Sequence, residues 1–401
     1  MMSAVLLQLN RRTIGLAAVQ SACIAVAMAI AASAGTRAGA HIMTGNHAVG
    51  VVAGALAAAA VAGSRAIFTW LMRRLGPRER LLVIGSTEAS LTLARELIDR
   101  RLQLGIDIVG FVDVAPTTAR PAVDHPGVIG TIDDVPDIVQ QRGVDRVVVS
   151  LKDARGRLPM DKLLDLRLRG IPIDHLASVY ERYTGKIALE NLRPSWLIFS
   201  PGFRHTRRLA SAKRLLDIAA ATVGLLLTAP LMVVIAAAVK LTTPGPVLYS
   251  QRRVGQHGRI FTIRKFRSMR VDAETATGAV WAVANDPRLT PIGGMLRRTR
   301  LDELPQLWNV LMDDMSLVGP RPERPEFVNA LEQQIDFYGQ RHLVKPGLTG
   351  WAQVSYPYGS SIHDALQKLQ YDLYYLKHMS IALDLFIMLA TLKTVWSGTG
   401  C

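Results

Sequence analysis

The 401-residue chain is long enough for two or three domains. With 49% hydrophobic residues and a mean hydropathy of +0.21 it is too apolar for a freely soluble protein carrying 20% charged residues, so part of it is read as membrane-associated. A net charge of +15 and an isoelectric point near 10.2 call for an anionic partner, and with 6% aromatic residues and no basic, aromatic-interleaved motif that partner is read as lipid or a phosphorylated small molecule, with no nucleic acid. Cys23 and Cys401 can build neither a disulfide framework nor a thiolate metal site, and the nine histidines are scattered from His41 to His378.

In chain order, residues 13–34 form an alanine-rich apolar segment after Arg11 and Arg12. Residues 47–72 form a second, interrupted by Arg65 and followed by Arg73, Arg74, Arg78 and Arg80. Positive flanks stay on the cytoplasmic side, so residues 1–75 are read as a transmembrane hairpin with a short outer loop. From Arg80 the pattern changes to short apolar strands (81–85, 106–112, 127–130 and 144–150) alternating with helices (89–101 and 132–142). That alternation predicts a Rossmann-like parallel α/β sheet, a cytoplasmic accessory domain over residues 78–200. Its first strand-to-helix turn, residues 85–90, lacks the full glycine fingerprint of a dinucleotide site, so a scaffolding or regulatory role is expected of it.

Residues 201–212 are a basic connector suited to anionic lipid heads, and the catalytic region is read as 213–401. It begins with an apolar segment, 215–239, which would reach about 37 Å as a straight helix, enough to cross a bilayer. Lys213, Arg214 and Lys240 at its two ends and Pro230 within it predict instead a re-entrant helix, broken at Pro230, that enters and leaves on the cytoplasmic face.

Further on, Asp302 and Glu303 stand just ahead of an amphipathic helix for which Pro305 is the expected first residue. An isolated Asp-Glu pair is ordinarily a helix cap. Here basic residues crowd the same stretch: Arg264, Lys265, Arg267 and Arg270 before it, Arg297, Arg298 and Arg300 beside it, Arg321 and Arg324 after it. Arginine forks and a lysine point charge hold a diphosphate, while paired carboxylates bind Mg²⁺ or attack phosphorus. A last apolar stretch, 381–389, is interrupted by Asp384 and is read as lying along the membrane interface with Lys393 and Trp396 as anchors.

Together with residues 249–255, 265–269, 285–290, 317–322 and 345–351, the 299–310 stretch closely resembles the bacterial sugar transferases that load a polyprenyl phosphate, the monotopic phosphoglycosyl transferases; the resemblance runs from about Lys213 to Trp396. Residues 179–187 and 191–197 resemble the larger exopolysaccharide-priming members, which carry an extra domain before the catalytic one. The resemblance implies an α-rich (α+β), membrane-associated catalytic domain on the cytoplasmic side of the bacterial inner membrane. It also implies transfer of a sugar 1-phosphate from a nucleoside diphosphate sugar, with a UDP-sugar the leading candidate, to undecaprenyl (polyprenyl) phosphate. Asp302 is then the expected nucleophile and Glu303 the Mg²⁺ ligand; Lys265, Arg297 and Arg321 bind phosphate, with Asp384 a weaker candidate, and a homodimer is left open. Two rivals remain: a membrane-anchored nucleotide-sugar dehydratase or epimerase, which would need the complete glycine turn and a Tyr-x-x-x-Lys pair that the chain lacks, and a non-enzymatic polysaccharide-export scaffold.

Overall fold

The computed structural model describes residues 78–86, 88–113, 127–150, 160–189, 202–203, 206–273, 275, 278, 286–357 and 359–396, together with Gly63. The spans expected at 13–34 and 47–72 lie outside the described residues, Gly63 aside, as does the 191–197 motif. The chain divides into two compact units, Met1–Thr184 and Gly185–Cys401.

The first unit is built on five parallel strands, β1 (Glu79–Ile84), β2 (Ile106–Asp113), β3 (Val128–Thr131), β4 (Arg146–Val149) and β5 (Ile173–His175), in the order β3-β2-β1-β4-β5. Its helices are α1 (Glu88–Asp99), α2 (Arg101–Leu104), α3 (Val135–Arg142), α4 (Met160–Leu168) and α5 (Leu176–Thr184). This is the expected parallel α/β sheet. Its central strands are apolar on both faces because helices cover both sides, and Leu82, Ile84, Val112 and Val147 are wholly buried. The helix expected over 89–101 ends at Asp99, with a short second piece after Arg100. The 132–142 helix opens with a 3-10 turn, Ile132–Asp134, capped reciprocally by Thr131 and Asp134.

The strand order reverses between β1 and β4, where α/β sheets commonly bind ligands. At the β1 turn the Ser86 amide donates to Asp113 Oδ1 at 2.8 Å and its hydroxyl donates to Asp113 Oδ2, so a carboxylate from the end of β2 already engages these donors. Two aromatic residues of the 179–187 motif serve the same unit: Tyr180 donates to Glu96 and Tyr183 to Glu79.

The second unit begins at Gly185, earlier than the end read for the accessory domain. Ile187 enters its core and Trp351 Nε1 donates to the Gly185 carbonyl at 2.7 Å. Its elements are α6 (Arg207–Thr242), the hairpin β6 (Leu248–Val254) and β7 (Ile260–Phe266), α7 (Gly293–Arg298), a 3-10 turn (Leu301–Glu303), α8 (Gln306–Leu311), β8 (Ser316–Val318), α9 (Pro325–Glu332), β9 (Gly347–Thr349), α10 (Trp351–Ser355), α11 (Ile362–His378) and α12 (Ile381–Trp396). Strands β8 and β9 pair in parallel, and their glycines explain two motifs at once. A Cβ on Gly319 would strike the Lys345 carbonyl, and one on Gly347 or Gly350 would strike the backbone of Gly319, so only glycine lets residues 319–322 and 345–351 close on each other.

Among the described residues, α6 is the one helix long and apolar enough to cross a membrane. The break expected at Pro230 is not present: α6 stays helical on both sides of it, through 36 residues. Proline costs this helix one backbone hydrogen bond and some crowding, about 3 kcal/mol. Packing outweighs that, with Ala221 in the main core and Ile235 and Val239 buried against Phe266 and Leu296. Both ends of α6 are fastened to the same unit. At the start Arg214 donates to the Val310 and Leu311 carbonyls and Asp217 accepts from the Leu317 amide; at the end Arg267 donates to the Thr243 and Pro244 carbonyls. Leu215, Leu226, Leu227, Val233, Val234 and Leu241 face outward, each more than half exposed.

Candidate active site

The acid pair sits in a 3-10 turn between α7 and α8, entered through Arg300 in a left-handed conformation (φ 55°). Pro305, expected as the first helical residue, is the cap just before α8. Leu301 and Leu304, which bracket the acids, pack against the same small cluster that holds Ile235 and Val239 of α6, Phe266 of β7 and Leu296 of α7, so the turn shares a core with the apolar helix. That anchoring turns Asp302 inward, where it is 5% exposed.

The bases come from three other elements. In the antiparallel hairpin, side chains alternate between faces, so Gln251, Arg253 and Lys265 share the inward face while Arg252 and Arg264 point out. Lys265 lies opposite Tyr249 with Nζ 5.4 Å from its ring centroid. Arg297 ends α7. Arg321 rides on a loop held by its own backbone: Arg341 donates to the Arg321 carbonyl at 3.0 Å, Arg253 to the Pro322 carbonyl at 3.0 Å, and Gly347 to the Pro320 carbonyl at 2.8 Å. From there Arg321 Nη2 donates to Glu303 Oε1 at 2.6 Å. Asp302, Glu303, Lys265, Arg297 and Arg321 thus line one cavity of about 500 Å³.

Electrostatics divide the two acids. Burial, with the neighbouring Glu303 charge, pushes Asp302 up to about 6 against the pull of Lys265, Arg297 and Arg321. Burial also works to raise Glu303, but Arg321 and Arg300 outweigh it and hold that carboxyl below its ordinary value. Lys265 is brought down to about 8 by burial, with Asp302 acting in the opposite direction. One carboxylate is therefore clamped in its ionised form by arginine, and its neighbour is left more basic and less tightly held. Carboxylate oxygens are the ligand type Mg²⁺ takes, so the Glu303 side chain fits that ion by its chemistry. Among the described residues no group of three or more His, Cys, Asp or Glu side chains gathers into a metal site.

Other sequence candidates lie elsewhere. Asp384 is 1% exposed on α12, where its carboxylate accepts from Lys213 of α6 and from the Tyr375 hydroxyl of α11, so it joins three helices and does not line the cavity. Arg267 clamps the end of α6, and Arg270 faces solvent beside Asp272. Lining residues to which the sequence reading gave no role include Arg253, Arg288 and Gln353. For Arg253 the i, i+2 alternation of a strand carried the signal; for Gln353 nothing local did.

A family model described as bacterial sugar transferase matches residues 208–398, and one described as a CoA-binding domain matches residues 7–158. The chain is 39% identical over 285 residues to a UDP-N-acetylgalactosamine-undecaprenyl-phosphate N-acetylgalactosaminephosphotransferase of Aeromonas hydrophila, covering 70% of this chain and 66% of that protein. It is 35% identical over 327 residues to a UDP-glucose:undecaprenyl-phosphate glucose-1-phosphate transferase of Xanthomonas campestris pv. campestris, covering 78% of this chain and 66% of that protein. It therefore spans just under two thirds of the length of either. Over 184 residues it is 41% identical to an exopolysaccharide production protein PSS of Rhizobium leguminosarum bv. phaseoli, covering 45% of this chain and 92% of that protein.

Proposed function

Because the chain belongs to the bacterial sugar transferase family, we propose that it moves a sugar 1-phosphate from a UDP-sugar onto undecaprenyl phosphate, in the priming step of exopolysaccharide synthesis. The observation that carries this reading is the Asp302-Glu303 pair, the buried Asp302 beside a Glu303 clamped by arginine, in a cavity ringed by cationic side chains. Lys265, Arg297 and Arg321 bind the diphosphate oxygens. An Asp302 oxygen attacks the phosphorus that bears the sugar; the bond from that phosphorus to the bridging oxygen breaks, and uridine monophosphate leaves with the electron pair. The acyl phosphate so formed is attacked at the same phosphorus by an oxygen of undecaprenyl phosphate, and the Asp302 carboxylate is released. Glu303 would hold Mg²⁺, which when bound offsets charge on the phosphate oxygens.

Membrane attachment belongs to the same proposal. Since both ends of α6 are tied to one compact unit, its exposed apolar side enters the cytoplasmic leaflet without carrying the acids across. The exposed Leu385, Phe386, Leu389 and Leu392 of α12 add a second apolar surface.

Covalency tests the chemistry. Full-length protein incubated with UDP-sugar labelled in the sugar, without lipid acceptor, should retain label on the peptide containing Asp302 and release it on addition of undecaprenyl phosphate. Asp302→Asn should lose both labelling and turnover, by a factor of about 10³ or more. Undiminished labelling of Asp302→Asn at another residue would remove Asp302 from the role.

A further inference from the structure

Gln353, on α10, extends its side chain between the two arginines nearest the acid turn. Its Oε1 accepts from Arg300 Nη1 at 2.9 Å and from Arg321 Nη1 at 3.0 Å. Two guanidinium donors on one oxygen settle which way the amide faces, and they leave Nε2 buried without a hydrogen-bond partner among the described residues. A buried amide donor left unmade is a cost that a leucine or methionine of similar size would not carry. The feature that offsets it is the shared oxygen.

Each arginine needs that oxygen for a different reason. Arg321 has a side chain 43% exposed, and a long side chain this open would sample many rotamers unless held at a second point besides Glu303. Arg300 adopts the left-handed conformation that non-glycine residues seldom take, two residues before Asp302; its backbone bonds to Arg297 and Glu303 close the turn, and the bond to Gln353 fixes where its guanidinium lies. Arg321 is also the arginine whose Nη2 donates to Glu303 Oε1 at 2.6 Å. We infer that Gln353 is a positioning residue of the transfer reaction, its carbonyl oxygen fixing Arg300 and Arg321 against the acid pair; the inference rests on the function proposed above.

The test is a coupling measurement on full-length protein in lipid nanodiscs. It follows uridine monophosphate release from a UDP-sugar with undecaprenyl phosphate, alongside thermal melting of every variant. Gln353→Leu should lower kcat about tenfold or more while KM for the UDP-sugar changes less than about threefold, because the loss is in transition-state alignment. Gln353→Glu, which keeps an acceptor for both guanidiniums, should retain more activity than Gln353→Leu, whereas a residue that merely packs would tolerate leucine better than a carboxylate. In an Arg321→Ala background, Gln353→Leu should cost less further than it does in the wild type, since one of its two partners is already gone and only the bond from Arg300 is left to lose. Should Gln353→Leu melt far below the wild type, Gln353→Met carries the same cycle. Fully additive losses, or leucine outperforming glutamate, would overturn the positioning role while leaving the transferase reading intact. A wild-type chain that releases no uridine monophosphate from any UDP-sugar would overturn that reading and this inference with it.

Discussion

The first unit buries few charges, Asp113 and Glu181 among them, whereas the second unit carries acids and arginines into its interior. In the first, the residues sealing the centre are Leu82, Ile84, Val112 and Val147, and Arg146 bridges Glu79 and Asp174 where β4 and its neighbours begin. In the second, Asp302, Arg341, Asp372 and Asp384 are each 5% exposed or less. Burial pushes Asp372 up to about 6 even with Arg341 beside it. A fold held by an apolar sheet tolerates the loss of any one charge; a fold that packs acids among bases depends on each partner, because an unpaired buried charge has no water to turn to. The second unit has the cavity that calls for such an arrangement, and stability there is tied to the same chemistry that a phosphate-binding site requires.

The sharpest way to break this contrast is to remove a buried acid that lies outside the cavity. Asp384→Ala leaves the Lys213 ammonium buried without its carboxylate, and should destabilise the second unit by about 3–5 kcal/mol in denaturant titration. KM for both substrates of the folded fraction should stay unchanged. A variant of near-native stability with a raised KM would return Asp384 to the substrate-binding role expected from the sequence.

A smaller effect should appear in the pH profile. The proposed attack needs Asp302 ionised, and its raised value places that form above about pH 6, so the initial rate at saturating substrate should fall about tenfold per pH unit below that point. Glu303, held below its ordinary value, stays ionised through this range and adds no second limb there. Arg321→Met removes a charge that lowers Asp302, and should move the limb to higher pH. A profile flat down to pH 4.5 would contradict this assignment. Smallest of all should be Arg169→Ala in the first unit, whose partner Asp165 lies one helical turn away and whose side chain is 70% exposed; the change in melting stability should stay within about 0.5 kcal/mol. A larger loss would mean that surface charge in the first unit matters more than its apolar sheet suggests.

The parallel sheet was legible because a strand covered on both faces leaves a run of apolar residues, and β1, β2 and β4 each have one. Strand β5 and helix α4 were not, since Ile173–His175 is three residues long and Met160–Leu168 leaves Met160, Leu164 and Leu168 exposed, so neither shows a clean period. In the candidate site, the Asp302-Glu303 pair stood out among a crowd of basic residues, and the family resemblance singled out Lys265, Arg297 and Arg321 from that crowd; all five line one cavity. Pro230 was read by its local rule, and packing on either side overrode it.

What the sequence determined by itself was therefore whatever period and composition encode within a few residues: the alternating sheet, the apolar helix, and acids and bases placed close together along the chain. Tertiary structure alone decided partnership. Lys213 and Asp384 are 171 positions apart, Arg214 and the Val310 carbonyl 96, and Arg300 and Gln353 53. No pattern within one helix or strand records such a distance, because amphipathic periodicity states which face is buried and is silent about what lies against it. Whether Asp384 serves substrate or scaffold, and whether Gln353 is a packing residue or the hinge pin of two arginines, depends on that missing second surface.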